Sequence, residues 1–274
     1  GIKVIYDTFE QNEDMYMKVK EGGNNYDVVV PSDYMAEKMI KQGMLEKIDY
    51  SKIPNFKYID EKFRNLDYDP KNEYTVPYMW GTVGILYNKN KVKEKVDSWN
   101  ILWDEKYKDN IIMMNSTRDT LGVALKRLGY SMNSRNEAEL EKAKESLIKQ
   151  KDIVLAYLVD ETKNQMANEE ADLAVMYSGD AIVAKGENEN LEYVIPKEGS
   201  NLWFDTLAIL KNAKHKENAE KFINFLTEPE NAKVNADYIG YSLPSTEAKK
   251  LLDKEVQEDK TAYPDLSKHK NMEI

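Results

Sequence analysis

The chain has 274 residues, 41% of them hydrophobic and 32% charged, with no cysteine and a formal net charge of −10. That length allows one large or two ordinary domains around a sizeable core. Lack of cysteine excludes disulfides, thiol catalysis and zinc–thiolate sites, and the acidic balance disfavours nucleic acid, whose phosphates require concentrated Lys and Arg.

Residues 1–6 read as a strand and not as a signal peptide. Val28, Val29 and Val30 form a short β-branched run closed by Pro31. Ser32 then stands where a helix cap belongs, ahead of Tyr34, Met35, Met39 and Ile40 and a stop at Gly43. Residues 74–86 are extended and apolar, with breaks expected at Pro77, Gly81 and Gly84. Ile111–Met114 is another apolar run, followed by capping residues at 115–117 and by Leu121, Ala124, Leu125 and Leu128 at helical spacing. A charged amphipathic helix is predicted over 136–150. Leu173–Tyr177 is an apolar strand leading into a helix at 178–180, residues 193–195 a short strand, and 206–210 a further apolar run. The last clear helix carries Ala219, Phe222, Ile223 and Leu226. No apolar run approaches the roughly 20 residues that cross a bilayer.

Strand–helix alternation points to an α/β fold with mostly parallel sheets. The extended segments near 79–87 and 203–210 are natural places for the chain to leave one lobe and return to it. The expected division is 1–82 with 207–274 for a discontinuous first lobe, and 83–206 for the second.

In α/β sheets ligands sit beyond the carboxyl ends of strands. The residues there are Ser32, Asp33 and Tyr34, then Ser116 and Asp119, then Tyr177 and Asp180. Trp203, Phe204 and Asp205 precede the 206–210 run, and Tyr241 follows the last clear helix. The set is aromatic and acidic, with Arg118 as its cationic exception. Ring faces attract ammonium groups, and carboxylates accept charge-assisted hydrogen bonds from them. Carboxylates at both ends of an aromatic-walled site would suit an alkyl chain with an amine at each end. Each residue also has a plainer role: Ser32 and Ser116 as caps, Asp33, Asp119 and Asp180 as charges at helix starts, and Trp203 and Tyr177 as core. Asp205 is hardest to explain that way, since an unpaired carboxylate among Leu, Trp, Phe and Ile is costly. A carboxylate-pair glycoside hydrolase and a binder of ferric ion or an anion remain alternatives. The two histidines, His215 and His269, lie in polar, lysine-rich stretches that suit neither a catalytic triad nor a metal site.

Several stretches together resemble the spermidine/putrescine-binding proteins of bacterial ABC importers. They are Tyr26-Asp-Val-Val-Val-Pro-Ser-Asp-Tyr34, Val76-Pro-Tyr-Met-Trp-Gly81, Ala124-Leu-Lys-Arg-Leu-Gly-Tyr-Ser131, Pro196-Lys-Glu-Gly199, Trp203-Phe-Asp-Thr-Leu-Ala-Ile209, Lys221-Phe-Ile-Asn-Phe-Leu226 and Ile239-Gly-Tyr241. The resemblance covers nearly the whole chain in order. It implies a two-lobed periplasmic-binding-protein architecture of type II that closes on its ligand, outside the cytoplasm, with an ABC permease and its ATPase as partners. It implies no catalysis, no cofactor and no metal. Carried over by motif, the ligand residues are Ser32, Tyr34, Ser116, Asp119, Tyr177, Asp180, Trp203, Asp205 and Tyr241, around putrescine or spermidine. Ser116 stands where the spermidine binder has an acid, Tyr177 replaces a tryptophan, and Asp180 matches putrescine-preferring relatives, which together tilt the expectation towards putrescine. The family's first strand and helix, and its last binding residue and helix, have no counterpart here, so the chain reads as truncated at both ends.

Overall fold

The computed structural model describes residues 1–22 and 25–274. In chain order its elements begin with α1 (Asn12–Lys20), β1 (Val28–Val29), α2 (Asp33–Lys41) and β2 (Thr75–Asn88). There follow β3 (Ile111–Met114), α3 (Thr117–Arg127), α4 (Glu137–Gln150), β4 (Val154–Leu158), α5 (Thr162–Ala167), β5 (Leu173–Tyr177), α6 (Ser178–Glu187) and β6 (Leu191–Val194). The last part holds β7 (Leu202–Ile209), α7 (Lys216–Leu226) and α8 (Pro229–Ile239), with short helical turns after it. The chain divides into two compact units. Unit 1 comprises Gly1–Trp80, Trp203–Gln257 and Ile274; unit 2 comprises Gly81–Leu202 and Glu258–Glu273.

In unit 1, β1 pairs antiparallel with β7, Val28 opposite Ile209 and Val29 opposite Ala208. Met35 and Met39, one turn apart on α2, pack with Met15 and Tyr16 of α1 and with Val29, Leu45, Ala208 and Leu210. On β7 the side chains alternate between faces. Phe204 joins an aromatic cluster with Phe63 at 5.8 Å and Tyr68 at 6.3 Å, so Trp203 and Asp205 share the opposite face. The helix α8 was not anticipated, although its ends carry ordinary signals: Pro229 in its first turn and Gly240 in the left-handed conformation at its end, φ 84°.

In unit 2, β3 runs parallel to both β4 and β5, whereas β2 runs antiparallel to β5 and β6. The sheets are therefore mixed, where strand–helix alternation alone suggested mostly parallel ladders. Leu86, Ile112, Met166, Ala174, Met176 and Tyr193 form the core under them. Asn136 caps α4 by accepting from the Ala138 and Glu139 N–H groups.

Three expectations need correction. Residues 1–9 form no strand, and Ile5 and Tyr6 are more than 80% exposed; β-prone residues hold a strand only where a neighbour completes the ladder. Pro77, Gly81 and Gly84 do not interrupt β2, which is continuous over 14 residues. At Gly84 a Cβ would lie 2.4 Å from the Tyr193 ring and 2.5 Å from the Val194 carbonyl oxygen, so this glycine permits close strand approach instead of ending a strand. Residues 258–273, expected in the first lobe, belong to unit 2, where Glu273 pairs with the buried Lys126 and accepts from Ser131 Oγ at 2.7 Å and Met132 N–H at 2.9 Å.

Candidate functional site

The nine candidate residues fall into two groups. Ser32, Tyr34, Trp203, Asp205 and Tyr241 belong to unit 1, and Ser116, Asp119, Tyr177 and Asp180 to unit 2.

In unit 1, the chain leaving β1 passes β7 through an antiparallel bridge between Ser32 and Asp205. The Ser32 hydroxyl donates to Asp205 Oδ1 at 2.9 Å. Ser32 occupies the cap position of α2, but its side chain makes no cap bond; its hydroxyl is turned to the carboxylate. Asp33 is more than a charge at a helix start. It is buried, and its two oxygens accept the Tyr34 N–H at 2.6 Å and the Phe204 N–H at 2.8 Å, tying α2 to β7. Two residues from Asp205 along β7, the Trp203 ring meets Tyr241 edge-on, centroids 5.0 Å apart. Trp203 itself is buried. Tyr34 is half-buried and donates its hydroxyl to Glu13 Oε1 at 3.0 Å.

Asp205 is half-buried. Its carboxyl is pushed up from 3.8 to about 7, first by burial, then by the neighbouring Asp33 charge, against the lowering effect of the Ser32 hydrogen bond. Among the described residues no Lys, Arg or His comes within 4 Å of it. Burial also pushes the Tyr78 phenol, which feels the Asp205 charge, up to about 12. This is a carboxylate held near an aromatic wall without a cation.

In unit 2, Asp119 opens α3 just past β3 and is buried. Its Oδ2 accepts from Ser116 Oγ at 2.8 Å and from the Tyr177 hydroxyl at 2.7 Å, and its Oδ1 from Asn201 Nδ2 at 3.0 Å. Ser116 also accepts the Asp119 N–H, so its capping role and its contact with the carboxylate coexist. Three neutral donors therefore fix the orientation of the Asp119 carboxyl group. Asp180 differs: Lys163 Nζ lies 3.4 Å from its Oδ1. No sequence signal linked Lys163 to Asp180. Asn201 was likewise missed; its Oδ1 is buried without a partner, beside a water-sized cavity of about 10 Å³ that Asp119 and Lys126 also line. Asn12 and Glu13, which hold Ser32 and Tyr34, were missed because their partners lie about 20 residues further along the chain. Among the described residues no group of three or more His, Asp or Glu is arranged to hold a metal ion, and no helix is long and apolar enough to cross a membrane.

Residues 1–264 match the family described as bacterial extracellular solute-binding protein. The chain belongs to that family. This solute-binding protein is 45% identical over 267 residues to a spermidine/putrescine-binding periplasmic protein of Salmonella typhimurium, across 97% of the chain and 77% of the relative. Among solved structures, a spermidine/putrescine ABC transporter substrate-binding protein of Streptococcus pneumoniae superposes with a TM-score of 0.84 at 43% identity, covering 99% of this chain and 84% of that one. A Listeria monocytogenes protein, described provisionally as a spermidine/putrescine ABC transporter, does so with a TM-score of 0.96 at 46% identity and the same coverage. The two-lobed solute-binding fold expected from sequence is the fold of these neighbours.

Proposed function

We propose that this chain binds a small aliphatic polyamine, putrescine or spermidine, outside the cytoplasm and delivers it to an ABC permease driven by its ATPase. The observation that carries the reading is Asp205. A carboxylate crowded by protein, with no cation beside it among the described residues and on the same strand face as Trp203, gains from an incoming ammonium what burial has taken away. Trp203 and Tyr241 offer ring faces and edges to the adjoining methylenes and charge. In unit 2 the donors to Asp119 are neutral, and among the described residues no cation lies within 4 Å of it. Each unit thus supplies a carboxylate suited to an ammonium group.

Lys163 already meets the charge of Asp180, so the tilt towards putrescine that rested on Asp180 carries less weight than Asp205 and Asp119. Names of close relatives agree with the polyamine reading. A thermal-shift panel of putrescine, spermidine, sulfate, ferric citrate and maltose tests the ligand class. We expect the two amines alone to raise the melting temperature. A rise with ferric citrate or sulfate and none with either amine would overturn the reading.

A further inference from the structure

The hydrogen bonds around Ser32 can be oriented from first principles. The Ser32 backbone N–H lies 2.8 Å from the Asn12 side-chain oxygen, and a backbone N–H can only donate. The other end of that amide is therefore its NH2 group, which lies 3.0 Å from Ser32 Oγ and can only donate in turn. Ser32 Oγ accepts there, and its single proton is left for Asp205 Oδ1 at 2.9 Å. One side chain, at the first position of α1, thus decides where the hydroxyl proton of the residue at the cap position of α2 points.

A donor aimed at a carboxylate favours the ionised form. The other titratable groups facing Asp205 oppose ionisation or stay neutral: Asp33 from α2, Tyr68 from the loop before β2, and Tyr78 from β2. Glu13 follows Asn12 on α1 but is engaged by Tyr34. The Ser32 hydroxyl is thus the group that favours the Asp205 anion from within the protein, and Asn12 sets its direction.

We propose that Asn12 is a positioning residue: by fixing the Ser32 hydroxyl as a donor to Asp205 it favours the ionised form of that carboxylate, and so helps to set the pH range over which an ammonium group is captured. The proposal rests on reading Asp205 as an ammonium partner. Its first half, the control of ionisation, is measurable without ligand.

The experiment follows the Asp205 carboxyl by 13C NMR through a pH titration of the ligand-free protein and of Asn12→Ala and Asn12→Asp, with putrescine affinity measured at about pH 6 and about pH 8.5. Asn12→Asp keeps size and shape and still accepts the Ser32 N–H, but its second oxygen accepts the hydroxyl proton and draws it away from Asp205. The Asp205 midpoint should rise by roughly half a unit or more in Asn12→Ala and further in Asn12→Asp. Affinity should fall about threefold or more at the lower pH and much less at the higher one. A purely structural role would weaken binding equally at both pH values and leave the midpoint in place. An unmoved midpoint in folded Asn12→Asp overturns the proposal, whatever the affinities do. If the midpoint moves but the parent protein binds no putrescine, the control of ionisation stands and the polyamine reading falls.

Discussion

Asp205 is the residue on which the chemistry turns, and its perturbed carboxyl has consequences that can be checked. In an unfolded chain it loses its proton near pH 4, but in the folded protein only near 7. Between these values the folded state holds a proton that the unfolded state has released, so this group makes stability fall as pH rises from about 4 to about 7. Above that range both states are ionised and the cost stays constant. Replacing Asp205 by Asn removes the cost while keeping an acceptor for the Ser32 hydroxyl. The ligand-free Asp205→Asn protein should therefore gain melting temperature over the parent at about pH 8, with little or no gain at about pH 4. An equal gain at both would disconnect Asp205 from the effect. Capture of the putrescine diammonium should also drive a proton off Asp205 near pH 6.5, so the apparent binding heat should change with the ionisation heat of the buffer there and much less at about pH 8. Trp203→Ala should weaken polyamine binding by about 1 kcal/mol, the scale of one ring–cation contact, which a titration of ligand against the variant would show. At this scale the sequence exposed a good deal. A carboxylate set among Leu202, Trp203, Phe204 and Leu207 has no cheap structural role, so Asp205 stood out. Asp119 and Asp180 looked alike in sequence, each an acid in a first helical turn. Only three-dimensional neighbours separate them: Tyr177 and Asn201, 58 and 82 residues from Asp119, as against Lys163 beside Asp180.

The elements follow local signals where those signals are the whole story. The Val28 and Val29 strand, the apolar β3 and β5 runs, the Asn136-capped α4 and the helical spacing in α3 are all readable from residue type and period. The misreadings share a cause, which is that a neighbouring element decided the outcome. Residues 1–9 have strand composition but no strand beside them. Gly84 looked like a break because its reason, the Tyr193 ring and the Val194 carbonyl, is about 110 residues away. Strand direction in unit 2 depends on which strands neighbour β2, which composition does not encode. Gly84→Ala tests this view of β2 as one continuous strand. The added methyl has backbone oxygen on one side and a buried ring on the other, so we expect a loss of about 1–3 kcal/mol in urea unfolding. No loss would mean that β6 can move away freely. Asn136→Ala, which removes only a cap on an exposed helix start, should cost about 1 kcal/mol.

At the scale of the whole molecule, no single motif identified the family; seven short stretches kept in order did, and matches over nearly the full chain agree. Asp205 and Asp119, beside which no cation lies within 4 Å among the described residues, are proposed to be completed by the ammonium groups of a polyamine. Isothermal titration of putrescine and spermidine into the parent chain and into Asp205→Asn at about pH 8 tests that proposal most directly. Saturable binding by the parent is expected, with a loss of roughly tenfold or more in affinity for the variant, the worth of one charge-assisted hydrogen bond. Equal affinity in the two proteins, or no heat from either amine with a folded parent, would contradict it.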